Sequence, residues 1–296
     1  MSSDNENMIL SGVDIDVNND LKYSKPKVNA SGGKSVGILN ATTNTSLYLS
    51  TPLMLTWGVN TYTDDRTGRS TYDMALQFPS QEYFTKETRE FLDNMKQLED
   101  KIKNDAVINS KEWFGKTKMS ADAVDALFTP ILKYPKDQET GDFDLTRSPT
   151  LKVKLPIWED EWKFELYDLE RTQIFPDNSS QRTPIDIITK GSNIATVIQC
   201  GGVWFANGKF GITWKLFQGV VKPKATLKGK CHIVLTSDER KKLENEKTND
   251  DDEESGVEIA DDSDNEEEAK VAVQEVLSAE PKKVVKKKVV KKKGAE

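Results

Sequence analysis

The spacing of hydrophobic and polar positions changes several times along the 296-residue chain. In TPLMLTWGVNTY, Leu53, Leu55, Trp57 and Val59 alternate with Met54, Thr56, Gly58, Asn60 and Tyr62, which predicts a β-strand. After the turn-rich TDDRTGRS, Tyr72, Met74, Leu76 and Phe78 alternate up to Pro79 in a second strand. From Ser80 to about Asn104 the period lengthens, and Phe84, Phe91, Met95, Leu98 and Ile102 fall on one side among charges, which predicts an amphipathic helix. Another helix is expected from Ser120, an N-cap with Asp122 in its first turn, to about Phe128, where Pro130 interrupts the pattern. Trp113 and Phe114, just before it, read as packing anchors.

Alternation returns downstream. Leu151, Val153 and Leu155 are interleaved with Lys152 and Lys154, and Trp162, Phe164 and Leu166 with Lys163, Glu165 and Tyr167, giving two more strands. The clearest pair flanks Asn207-Gly208, with one strand over Ile194 to Ala206 and the other over Lys209 to Val221; Asn-Gly between strands is the strongest local hairpin signal. SDERKKLENEK predicts a short exposed helix. Six or more strands with a helical insertion at about residues 80–130 predict a mainly-β barrel or sandwich. Residues 1–33 are rich in Asn, Asp and Ser without a sustained apolar period, and a disordered arm is expected there. The fold is expected over residues 34–236, followed by a disordered tail over 237–296.

Composition narrows the chemistry. Apolar runs such as Leu53 to Leu55 fall far short of the ~20 residues that cross a bilayer, so neither a membrane span nor a secretory signal is expected. Two cysteines, Cys200 and Cys231, and one histidine, His232, cannot supply a four-ligand zinc site or a disulfide framework. A buried thiol pair in a reducing, intracellular compartment is the expected state, with no metal and no cofactor. A single histidine also leaves little general-base chemistry, which argues against an enzyme.

The formal net charge of −7 averages over segments of opposite sign. Residues 250–268 carry 12 acidic side chains and no basic one, whereas residues 269–296 carry nine lysines against three glutamates and include the run KKVVKKKVVKKK. Residues 1–249 have a net charge of only −1. Within them, Ile187 to Ser237 contains seven lysines (190, 209, 215, 222, 224, 228 and 230) and no aspartate or glutamate. A nearly neutral domain can thus present one basic face.

Three constellations bear on function. Ser31-Gly32-Gly33-Lys34-Ser35 contains the GKS of a phosphate-binding loop, but Val28 stands where that loop needs its first glycine and no strand precedes it. Asp64 with Asp65, and Glu159 with Asp160 and Glu161, fall in expected turns and read as solvated loop charges. The hairpin is more informative. If Ala206 pairs with Lys209, one face carries Val203, Phe205, Phe210, Ile212 and Trp214, which is a core. The other carries Trp204, Lys209, Thr213 and Lys215, with Gly202 and Gly211 leaving room for a flat object. Stacking aromatics beside cations are the chemistry of single-stranded nucleic-acid binding, to which Lys222 and Lys224 add charge.

Ile198 to Pro223, together with STYDMALQFP (Ser70 to Pro79), SKEWFGK (Ser110 to Lys116) and FTPILKYPK (Phe128 to Lys136), resembles the single-stranded-DNA-binding protein family of large DNA viruses of eukaryotes, itself related to the OB-fold single-stranded-DNA-binding protein of short-tailed phages. The likeness spans about residues 35–235. It implies an OB-fold with a helical insertion and sequence-tolerant binding of single-stranded DNA. It also implies roles in replication, recombination, repair and annealing, a homodimer, and residence where viral DNA replicates. The DNA contacts it implies are Trp204, Lys209 and Lys215, joined by Trp57, Tyr62, Arg66 and Arg69. In the phage relatives a terminal acidic tail recruits replication proteins and competes with DNA; here the acidic run is internal and a lysine-rich end follows it. Two rivals stand beside this reading: an RNA-binding protein on the same barrel, and a virion or scaffold protein whose exposed aromatics serve a protein interface. A metal-dependent nuclease is a distant third.

Overall fold

The computed structural model describes residues 8–29, 32–177, 182–222 and 233–245. The chain is mainly β and divides into two units, Met1–Gly229 and Lys230–Glu296.

Five strands organise the first unit: β1 (Met54–Thr63), β2 (Ser70–Gln77), β3 (Thr150–Leu155), β4 (Ser192–Ala206) and β5 (Lys209–Val221). β1 pairs antiparallel with β2, and β2 with β3. β3 pairs parallel with β5, β5 antiparallel with β4, and β4 antiparallel with β1. The pairings therefore return to the first strand in the order 1-2-3-5-4-1. Alternation supplies the inward set, since i and i+2 share a face. Met54, Met74, Leu76, Leu151, Val153, Ile194, Ile198, Val203, Phe210, Trp214 and Leu216 are all buried. On β1 the buried set is Met54, Thr56 and Gly58, while Trp57, and Leu53 just before the strand, are exposed. A bulge between Thr56 and Val59 then changes the parity, with Gly58 at φ 93°.

The helical insertion lies between β2 and β3: α1 (Lys86–Ile108), α2 (Ser110–Phe114) and α3 (Ala121–Leu127). α1 opens with a capping box of Thr85 and Thr88 and buries Phe91, Met95, Leu98 and Ile102, as its periodicity predicts. Phe91 stacks on Phe78 at 5.7 Å, fastening α1 to the end of β2. Ser120 caps α3 by accepting from the Ala123 N–H at 3.2 Å. The Glu99 carboxylate of α1 accepts from the backbone N–H of Ile131 and of Leu132, fixing the chain that leaves α3.

The N-terminal segment corrects the expectation of a disordered arm. Short strands form at Ile9–Ser11, Leu21–Tyr23 and Lys27–Val28, and Ile15, Val17 and Leu21 are buried. Lys27–Val28 pairs locally with Lys34–Ser35, whereas the other partners lie farther along the chain. Ile9–Ser11 pairs parallel with Tyr48–Ser50, Asn94 Nδ2 donates to the carbonyls of Gly12 and Val13, and Tyr23 Oη donates to Asp105. Pieces of two or three residues between Asp/Asn turns are too short to show a period, so local pattern misses them.

Trp162 to Leu166, expected as one strand, is two: Glu161–Trp162 closes a small hairpin with Ile157–Trp158, and Glu165–Tyr167 pairs parallel with the end of β5. In the second unit the short exposed helix expected from SDERKKLENEK forms over Ser237–Asn245, so order extends past 237, where the disordered tail was expected to begin. None of the helices among the described residues is long and apolar enough to cross a membrane.

Candidate nucleic-acid interface

The β4–β5 hairpin turns at Asn207 (φ 52°) and Gly208 (φ 73°), both left-handed as a two-residue hairpin turn demands. Ala206 pairs with Lys209, Phe205 with Phe210, Trp204 with Gly211 and Val203 with Ile212. Gly201-Gly202 then form a bulge, after which Cys200 pairs with Trp214 and Gln199 with Lys215. At Gly202 (φ 77°) a Cβ would lie 2.5 Å from the Val36 carbonyl oxygen, so the Lys34–Val36 strand occupies the space beside it.

Val203, Phe210 and Trp214 face the core, while Lys209 and Lys215 are exposed and Trp204 and Thr213 half-buried on the other side. The room expected beside Gly211 for an external flat object is filled. The Trp204 indole lies over it, with Cζ2 3.0 Å from where a Cβ on Gly211 would stand. The turn end of the hairpin is held from the insertion: Phe114 meets Phe205 and Phe210 edge-on at 5.3 and 5.1 Å, and Phe128 contacts Phe210 at 5.3 Å. Lys34, of the GKS triplet, donates to the Glu112 carbonyl and sits 5.8 Å from the Phe205 ring, which makes it a tether between β4 and α2.

Register carries the outward face across the sheet. Asn60 of β1 lies opposite Asp73 of β2, Asp73 opposite Lys154 of β3, Lys154 opposite Lys215 of β5, and Lys215 opposite Gln199 of β4. Adjacent strands are about 4.8 Å apart, so Lys154 and Lys215 are immediate neighbours. Both are exposed, and neither joins an ion pair among the described residues. Asp73 accepts from Asn60 at 3.2 Å and pairs with Lys152 at 2.5 Å, leaving three lysines to one aspartate on this part of the face. Behind it the buried Cys200 thiol is pushed up to about 12 by burial, against the smaller opposing effects of the Gly202 N–H and the Lys215 charge.

Trp204, Thr213 and Lys215 are thus brought onto one surface, with Lys209 at its turn end. Tyr62 is 67% exposed at the end of β1, opposite Thr71, and leads into the turn that carries exposed Arg66 and Arg69. Asp64 shapes that turn by accepting from Arg66 N, Thr67 N and Thr67 Oγ1, and these bonds hold its carboxyl below the usual range. Trp57 is 57% exposed on the β1 bulge, apart from the lysine row, with Lys190 Nζ 5.5 Å from its ring centroid. Lys222 is exposed just beyond the far end of β5, and Lys224, Cys231 and His232 lie outside the described residues. Lys152 and Lys154 were not among the sequence candidates. Their alternation with buried leucine and valine already turned them outward, but only the parallel β3–β5 pairing sets them beside the hairpin.

Glu159 (φ 52°) and Asp160 (φ 61°) form a hairpin turn. Among the described residues no group of three His, Cys, Asp or Glu side chains is placed to hold a metal ion.

No family model and no curated protein matches the sequence. Solved structures similar to the chain include the single-stranded DNA-binding protein from bacteriophage Enc34 in complex with ssDNA, at 12% identity and a TM-score of 0.36 over 69% of this chain and 97% of that one. The single-stranded DNA-binding protein gp2.5 of bacteriophage T7 is similar at 14% identity and a TM-score of 0.35, over 64% of this chain and 98% of that one.

Proposed function

We propose that this chain is a non-catalytic binder of single-stranded DNA, which it holds across the outward face of β3 and β5. The observation that carries the reading is the juxtaposition of Lys154 and Lys215, in register on neighbouring strands and without an ion pair among the described residues. Like charges directly opposite one another destabilise a sheet, and a polyanion laid across them reverses the sign of that contribution. Trp204 supplies the second requirement. One side of its indole rests on Gly211 while the side chain remains half-exposed, and base stacking on such a ring is sequence-tolerant because every base has a π-face.

The strand circuit 1-2-3-5-4-1, with its parallel β3–β5 pair, reads as an OB-type barrel carrying a helical insertion. In that architecture the face of the second and third strands and the turns after the first and fourth receive oligonucleotides. Those turns here carry Arg66 and Arg69 in one and lead into Lys209 in the other. A protein of this kind coats exposed strands during replication, recombination or repair, and the acidic stretch 250–268 is a candidate for contacts with partner proteins.

A low-salt titration tests the reading, using one sequence as single-stranded DNA, as duplex DNA and as RNA. The single DNA strand is expected to bind most tightly. Tighter RNA binding would reassign the partner. No affinity for any of the three would sink nucleic-acid binding and leave the exposed aromatics as a protein interface.

A further inference from the structure

The outward row continues past the lysines. Gln199 lies opposite Tyr48 on the next strand, and its Nε2 donates to Tyr48 Oη at 2.9 Å. The Tyr48 ring meets Phe217 edge-on, 4.8 Å between centroids at 62°. Phe217 follows Lys215 by two residues on β5 and so shares its face, yet it remains 37% exposed.

A second bulge explains this position. The β4–β5 pairing passes from Ile198 opposite Leu216 to Val197 opposite Gln218, which leaves Phe217 with no residue across from it. Beyond the bulge the parity changes, so that Gly219 and Val221 are buried where simple alternation would have turned them out. Phe217 is therefore the last outward residue before the switch. An aromatic side chain kept partly in water forgoes hydrophobic burial, and bulges commonly re-aim side chains at binding sites.

The spacing suits the strand proposed above. Gly211, beneath Trp204, and Phe217 are six residues apart on β5, about 20 Å at ~3.3 Å per residue, with Lys215 between them. We propose that Phe217, braced edge-on by Tyr48, is a second base-stacking platform for the same DNA strand, on the other side of the lysine pair from Trp204. The inference rests on the single-stranded-DNA reading of this face.

The test compares Phe217→Ala and Phe217→Trp with the parent on a 16-mer of thymidylate, at about the upper end of the site size of such barrels, and on an abasic 16-mer that keeps the phosphates. A stacking platform predicts about tenfold weaker binding of thymidylate by Phe217→Ala and recovery in Phe217→Trp. Binding of the abasic strand should be the same in all three proteins. The inference is overturned if Phe217→Ala binds thymidylate as the parent does, or loses as much on the abasic strand, which would make its role indirect. If alanine lowers the melting temperature, Phe217→Leu, which keeps apolar bulk beside Tyr48 without a π-face, takes its place under the same criteria. A parent protein that binds neither oligomer overturns the underlying reading as well, whereas a parent that binds with indifferent variants overturns this inference only.

Discussion

Trp204 and Gly211 are a matched pair: the indole covers the glycine, and a Cβ on Gly211 would come within 3.0 Å of Trp204 Cζ2 and 3.1 Å of the Thr129 carbonyl oxygen. The backbone atom cannot yield easily, so the ring must move. Gly211→Ala should therefore weaken DNA binding in the same direction as Trp204→Ala, which is expected to cost about 1–3 kcal/mol of binding. Titrating both variants with a thymidylate oligomer, with melting curves to confirm folding, checks this. Unchanged affinity in folded Trp204→Ala would remove Trp204 from the site.

The contrast between the hairpin and the lysine row shows what local pattern can reveal. Asn207-Gly208 announces both the turn and the pairing of the next four residues on each side, because a two-residue turn leaves no freedom in register. Past Val203 that inference fails, since nothing in the residue types says that Gly201-Gly202 will bulge against the Val36 carbonyl rather than continue the ladder. The neighbour of Lys215 was equally hidden. Lys154 lies some sixty residues earlier and reaches β5 through a parallel pairing, for which no local signal exists. The buried Ile15 and Val17 escaped notice too, because they stand among Asp and Asn residues in a segment whose short strands show no period.

Trp214 is 2% exposed, and its Nε1 has no hydrogen-bond partner among the described residues. Removing the whole side chain should cost about 3–5 kcal/mol of stability. Trp214→Phe also loses volume but removes the unpaired N–H, whose desolvation costs about 1–3 kcal/mol. Denaturant unfolding should therefore find Trp214→Phe much closer to the parent than Trp214→Ala. Equal losses would mean that the indole N–H is satisfied in solution.

Glu99 gives a pH dependence of definite sign. Burial raises its pKa, while the N–H groups of Leu132 and Ile131 and the Lys103 charge act in the opposite direction. A carboxyl whose folded pKa lies above its unfolded value favours folding most when protonated, and that contribution is lost as pH rises through the folded pKa. Glu99→Gln keeps an acceptor oxygen and abolishes the titration. The unfolding free energy of the parent minus that of Glu99→Gln should thus increase as pH falls from 7 toward 4, the other carboxylates cancelling in the difference. A difference that stays flat, or declines with acidification, would show that the two backbone bonds outweigh burial.

Lys154 and Lys215 should show opposite effects on stability and on binding. In the free protein two ammonium groups face each other across adjacent strands, and relieving such a like-charge pair is worth roughly 0.2–1 kcal/mol. Lys215→Gln should therefore leave the melting temperature unchanged or slightly raised. The same change removes a phosphate contact. On single strands each contact contributes about −0.7 to the slope of log affinity against log salt, so the slope should flatten by roughly that amount, and by about twice as much in Lys154→Gln with Lys215→Gln. Trp204→Ala, which removes stacking and no charge, should lower affinity at every salt concentration without changing the slope. A purely structural role for the lysines would couple the two readouts, lost stability accompanying lost binding. Stability held or gained while the salt slope flattens is the pattern that identifies lysines placed for a polyanion, and a slope unchanged in the double variant would show that the DNA passes elsewhere.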